Sequence, residues 1–114
     1  MGLQVFGTKK CAVTRKAERF FKDRGLAFQF INLAEKGISP GELRIVKAAV
    51  GAEALIDLQG ARAKEKGLAW MEFDAEEAIL ADPLLLRTPV VRDGPRAAIG
   101  DNPGAWAAML PKKP

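Results

Sequence analysis

The 114-residue chain has no histidine and only one cysteine, Cys11. A single cysteine cannot close an internal disulfide, and without histidine the usual zinc frameworks and the Ser-His and Cys-His catalytic pairs are excluded. No metal site is expected. Long apolar runs are missing too: no stretch reaches the roughly 18 consecutive apolar residues that a membrane helix needs, and the N-terminus lacks the basic, apolar, small-residue succession of a secretory signal. These absences predict a cytoplasmic protein that makes no use of a membrane. No internal repeat, low-complexity tract or linker breaks the chain, and at 48% apolar it is long enough for one core and too short for two, so a single domain over residues 1–114 is expected.

What charge there is lies unevenly. The net balance of +4 hides seven Lys or Arg against two Asp or Glu in residues 1–24, and eleven against twelve in the remainder. The positive field therefore surrounds Cys11.

Hydrophobic spacing orders the elements. Residues 3–6 read as a short strand; Val13, Ala17, Phe20 and Phe21 then recur on one helical face that stops near Gly25, and residues 26–33 read as a second strand with Phe28 and Phe30 on one side. Ser39, Pro40 and Glu42 form a capping box ahead of the Leu43, Val46, Val50 stripe, with Gly51 as the stop. Residues 61–67 predict one or two further turns, and Asp74 caps a helix that ends before Pro83. Two short runs, 89–92 and 96–99, flank Asp93-Gly94 as a hairpin. A closing helix follows with Asp101 or Asn102 as its cap and Trp106, Met109 and Leu110 inward, and the tail Pro111 to Pro114 is expected to fray.

That order puts Cys11 in the loop between the first strand and the first helix. Free backbone N–H groups and the helix dipole favour a thiolate there, Lys9 and Lys10 add positive charge, and Thr14 can turn its hydroxyl toward the sulfur. A free cysteine is also a common buried filler, and basic residues on a helix are commonly its solvated face, so filler and reactive thiol both remain open from composition; the loop position and the lysines favour the thiol. The basic segment 15–24 does not read as a nucleic-acid or membrane helix, because Phe20 and Phe21 occupy its core face. Trp70 and Trp106 stand too far apart in sequence to make a base-stacking platform. The acidic stretch 72–82 reads as a surface helix.

The segments Cys11-Ala-Val-Thr-Arg15 behind a short strand, a helix-rich middle, Leu84 to Val91 ("LLLRTPVV") and a basic hairpin together resemble the family of glutaredoxin-linked arsenate reductases and Spx transcriptional regulators, across nearly the whole chain. The resemblance implies an α/β, thioredoxin-like fold, β-α-β then a helical insertion then β-β-α, with a mixed four-stranded sheet; residues 1–33 and 84–110 would form the core and 34–83 the insertion. It also implies a thiol oxidoreductase with Cys11 as nucleophile, no tightly bound cofactor, glutathione as co-substrate and glutaredoxin as partner, acting on a small oxyanion or a disulfide. The implied catalytic set is Cys11, Thr14, Arg15 and Arg96. Lys10, Arg87, Thr88 and Pro89 would bind substrate, with Pro89 cis and the Thr88 backbone free to pair with a bound thiol peptide.

Of the three arginines that such reductases place around the anion, this chain offers Arg96 in the hairpin, Thr88 directly before the proline with Arg87 one residue early, and no arginine near Asp57. The alternative that the resemblance carries is a non-enzymatic regulator that binds RNA polymerase or another macromolecule. Spx proteins mostly carry a CxxC switch, and here Thr14 stands in place of the second sulfur.

Overall fold

A computed structural model describes residues 2–110; the reading of Pro111 to Pro114 as a frayed end lies outside them. Four strands, β1 (Leu3–Gly7), β2 (Gln29–Asn32), β3 (Val90–Asp93) and β4 (Arg96–Ile99), form one sheet in the order β2-β1-β3-β4. β1 and β2 are parallel, while β1–β3 and β3–β4 are antiparallel, so the sheet is mixed as expected. The helices are α1 (Ala12–Asp23), α2 (Pro40–Val50), α3 (Ala61–Glu65), α4 (Ala75–Ala81) and α5 (Pro103–Ala108). Among the described residues no helix is long and apolar enough to cross a membrane.

Strand alternation divides the core in two, because successive side chains point to opposite faces. Leu3, Val5 and Val91 meet Ala17 and Phe21 of α1 and Trp106 of α5 on one face. Phe6 and Val90 meet Leu43 and Val46 of α2, together with Leu55, Ile79 and Leu85, on the other. The apolar side chains of residues 34–83 are therefore continuous with the sheet's own cluster.

Local signals predict the well-capped elements closely. At α2 the Glu42 N–H donates to Ser39 Oγ and the Ser39 N–H to Glu42 Oε1, both at 3.1 Å. Asp74 Oδ1 accepts from the N–H groups of Glu76 and Glu77 at the start of α4. Asn102, and not Asp101, caps α5; Asp101 instead pairs with Lys16 of α1 at 2.9 Å. β2 is shorter than the apolar run suggests, since the Leu26 N–H donates to the Phe21 carbonyl in closing the end of α1 and pairing with β1 begins only at Gln29. The hairpin turn is Gly94-Pro95, one residue later than the Asp93-Gly94 signal: Asp93 pairs with Arg96, and the proline, which has no N–H to donate, falls in the turn. Three single 3₁₀ turns, at 52–54, 68–70 and 83–85, were not foreseen; they are too short to show a period.

Asp82 ties the middle segment together. Buried at the end of α4, it accepts from Arg62 Nε at 2.7 Å and lies 3.5 Å from Lys66 Nζ. The Arg62 hydrogen bond holds its carboxyl below the usual carboxylate range. A depressed folded-state pKa adds stability above the ordinary aspartate value, about 3.9, and that stability is lost as pH falls through the folded value. Asp82→Asn should therefore melt at a lower temperature than the native protein at neutral pH, and the gap should close on acidification. A gap independent of pH would show that the charge of Asp82 is not the stabilising feature.

Candidate functional site

The site is built where β1 ends. After Gly7 the chain turns through residues 8–10, the Cys11 N–H donates to the Thr8 carbonyl at 3.2 Å, and Cys11 becomes the N-cap of α1 with an extended backbone (φ −80°, ψ 116°). Its side chain makes no capping bond to the helix. The sulfur is half-buried and is reached from across the fold by Thr88, whose Oγ1 donates to Sγ at 3.2 Å. The Thr88–Pro89 peptide bond is cis.

These surroundings act on the thiol in opposite directions. Burial pushes its pKa up, while the hydroxyls of Thr14 and Thr88 and the backbone N–H groups of Thr14 and Val13 pull it down, and the net effect is a lowered pKa. A sulfur at a helix N-terminus with hydroxyl donors on two sides is set up to carry negative charge. The lysines expected to help do not contribute: Lys9 and Lys10 are exposed in the turn, and neither is among the groups that lower the thiol.

Thr14 is fully buried, and its Oγ1 has no properly formed hydrogen bond to any described residue, although it is near enough to the sulfur to stabilise a thiolate. It is held there by Gly7. A Cβ added at Gly7 would overlap both Oγ1 and Cγ2 of Thr14, so the strand must end in glycine for α1 to seat this closely. Gly7 was missed from the sequence because nothing local distinguishes a glycine that admits a neighbouring helix from one that makes a turn.

The implied arginines are elsewhere. Arg96 is not brought to the sulfur: it opens β4 opposite Asp93, which in turn pairs with Leu3 at the far end of β1 from Cys11. There it donates to Asp93 Oδ2 at 2.7 Å and to the Ala108 carbonyl at 2.9 Å. The residue of the hairpin that does return beside Pro89 is Gly100, whose N–H donates to the Pro89 carbonyl at 2.9 Å. Arg87 directs its Nε to the Ala54 carbonyl at 3.1 Å, in a cleft of about 250 Å³ that also holds Asp57, Arg62 and Thr88. Arg15 is exposed on the outer face of α1 beside Glu18, Arg19 and Lys22. The structure thus gathers Cys11, Thr14, Thr88 and Pro89, and leaves Lys10, Arg15, Arg87 and Arg96 outside the ring of groups that hold the sulfur.

Comparison with known proteins matches this chain, over residues 6–109, to a family model described as the ArsC family. The global transcriptional regulator Spx 2 of Oceanobacillus iheyensis is 29% identical over 118 residues, covering 99% of this chain and 87% of that protein. Among solved structures, a YffB protein is 26% identical with a TM-score of 0.84, covering 96% of this chain and 99% of that one. An arsenate reductase from Vibrio cholerae superposes with a TM-score of 0.81 at 24% identity, covering 96% and 98% of the two chains, a likeness of fold. The fold is thioredoxin-like, with its cysteine at the start of α1 and its cis-proline opening β3.

Proposed function

Because the chain belongs to the ArsC family, we propose that it is a single-cysteine thiol oxidoreductase that reduces disulfides in the cytoplasm, with glutathione supplying the electrons. The observation that carries this reading is the half-exposed Cys11 Sγ at the N-terminus of α1, accepting from Thr88 and lowered in pKa.

In the first step the Cys11 thiolate attacks one sulfur of a glutathione mixed disulfide, R–S–S–G. A Cys11–S–S–G bond forms, the substrate S–S bond breaks, and R–S⁻ leaves and takes a proton from solvent. Glutathione thiolate then attacks the outer sulfur, releasing Cys11 thiolate and oxidised glutathione; a glutaredoxin can perform this second step in its place. The same donors that favour the thiolate also favour its departure in that step, since a thiol of low pKa is the better leaving group. Thr88 contributes its backbone as well. Neither its N–H nor its carbonyl has a backbone partner among the described residues, leaving both available to an extended peptide that brings the disulfide.

A disulfide is favoured over arsenate by the arginines. An oxyanion accumulating negative charge needs cationic donors around it, and Arg87 and Arg96 are bonded to Ala54, Asp93 and Ala108 instead. The direct test is a pair of assays coupled to NADPH through glutathione reductase: one on the mixed disulfide of cysteine and glutathione, the other on arsenate with glutathione and glutaredoxin. Turnover of the disulfide alone is expected. Arsenate turnover without disulfide turnover would reverse the assignment.

The similarity to Spx 2 favours a second reading, a regulator that binds RNA polymerase through the same fold without turnover. Inactivity in both assays together with saturable binding to purified polymerase would establish it.

Thr88→Val removes one of the donors to sulfur while keeping the side chain's shape. The thiol pKa should rise, and alkylation by iodoacetamide at neutral pH should slow by roughly three- to tenfold, a pKa unit being a factor of ten in thiolate below the pKa. A pH profile of the alkylation rate that superposes on that of the native protein would show that Thr88 does not hold the charge.

A further inference from the structure

The middle segment carries an unpartnered apolar surface whose lining includes none of the groups that surround the sulfur. Trp70 is 92% exposed and its neighbour Met71 56% exposed, in a chain whose other tryptophan, Trp106, is fully buried. Beside them runs a groove of about 620 Å³ with Leu68, Met71, Phe73 and Leu85 among its apolar lining residues. Contiguous exposed apolar surface of this kind, rimmed by polar residues, marks interaction sites.

The rim is mainly acidic. Glu72, Asp74 and Glu77 line the groove, and among the described residues none of the three is in a salt bridge; Lys66, the one cation among its lining residues, is paired together with Arg62 to Asp82, the other carboxylate there. That charge selects the occupant. Nucleic acid and anionic membrane would be repelled. A second copy docked about a two-fold axis would set the three carboxylates against themselves. A second copy docked through its basic α1 would present Arg15, Lys16, Arg19 and Lys22, but α1 has no exposed large apolar side chain to fill the groove.

We propose that the groove between residues 68–74 and α4 is a docking site for a cationic amphipathic helix of a partner protein, its apolar face on Met71, Phe73 and Trp70 and its Lys or Arg flank on Glu72 and Glu77. Apolar anchors spaced along one face give such a helix its hold, and the surrounding charges set its orientation and exclude other partners. This surface stands independently of the thiol chemistry, so its failure would leave the proposed reaction untouched.

Trp70 is a built-in reporter. The full chain is titrated with a synthetic amphipathic peptide of leucine and lysine, about 18 residues or five helical turns long. Tryptophan emission should shift to the blue and saturate, and Trp70→Phe should abolish the shift because Trp106 is already buried. Glu72→Lys/Glu77→Lys should weaken binding by roughly tenfold or more, the effect shrinking at about 0.5 M salt. Glu72→Lys alone lies outside any helix, and it should show a smaller loss in the same direction should the double variant not fold. A peptide with glutamate in place of lysine should not bind. Equal affinity of native and charge-reversed proteins for the lysine peptide would overturn the proposal, as would no emission shift, binding to anionic vesicles through Trp70, or a dimer in sedimentation that Trp70→Ser abolishes.

Discussion

Cys11→Ser should leave an inert protein that is at least as well folded as the native one. Disulfide turnover should fall by at least about a thousandfold, because a serine hydroxyl at neutral pH supplies almost no anion and cannot form the mixed disulfide. Stability should not fall with it. Cys11 stands at the N-cap of α1 without a side-chain capping bond, and serine is among the preferred residues at that position, so the new hydroxyl can accept from an N–H of the first turn and add about 0.5–1 kcal/mol.

The comparison should depend on pH in a defined sense. The lowered thiol pKa of the folded state means that the native protein gains stability from ionised Cys11 above the unfolded thiol value, about 8.5, and loses that gain as pH falls through the folded value. The serine variant lacks this contribution, so its advantage in thermal melts should be largest in acid and should shrink toward alkaline pH. Residual turnover of more than about a hundredth would move the nucleophile elsewhere. A large loss of stability would instead mean that the sulfur serves as packing.

Gly7→Ala should be the most damaging single methyl in the chain. The added Cβ meets Thr14 on both branches of its side chain, at the end of β1, where Gly7 is paired with Asn32 of β2 and Thr14 is fully buried. Neither partner has room to withdraw, and overpacking of this kind costs about 2–3 kcal/mol, a large part of the stability of a small domain. Chemical denaturation of Gly7→Ala, Thr14→Ala and the double variant measures it. Removing Oγ1 and Cγ2 of Thr14 clears the two closest contacts, so the double variant should recover at least about 1 kcal/mol relative to the sum of the single changes. Additive losses would place the strain of Gly7→Ala in the strand backbone and not against Thr14.

Elements whose rules are local could be read from the chain directly. The Ser39–Glu42 box, the Asp74 cap and the Val13, Ala17, Phe20, Phe21 stripe depend on side chains within a turn or two of one another. They formed as the spacing predicts. The placing of Cys11 at the start of α1 was legible in the same way, because it needs only the order strand, loop, helix.

Features that depend on distant segments were not legible in spacing or capping, and only the resemblance implied Thr88 and a cis Pro89 at the site. Thr88 is 77 residues from the sulfur it serves, and only the seating of β3 beside β1 brings the two together. Arg96 matched its expected place in the order of the chain, yet a four-residue strand separates it from the end of the hairpin that approaches Pro89. Arg87 turned to the Ala54 carbonyl because residues 52–55 pack against it, a contact outside the reach of any periodicity.

By itself, then, the sequence determined the order of the main helices and strands, the caps at Ser39 and Asp74, that one sulfur sits at a helix start, and that no histidine takes part in the chemistry. The tertiary structure decided which donors surround that sulfur, that the arginines are occupied elsewhere, and that an acidic, apolar groove faces outward. The physical reason is range. Capping and periodicity act over one or two turns, whereas a thiol's charge and a groove's lining are set by side chains that only the folded sheet brings within a few ångströms of each other.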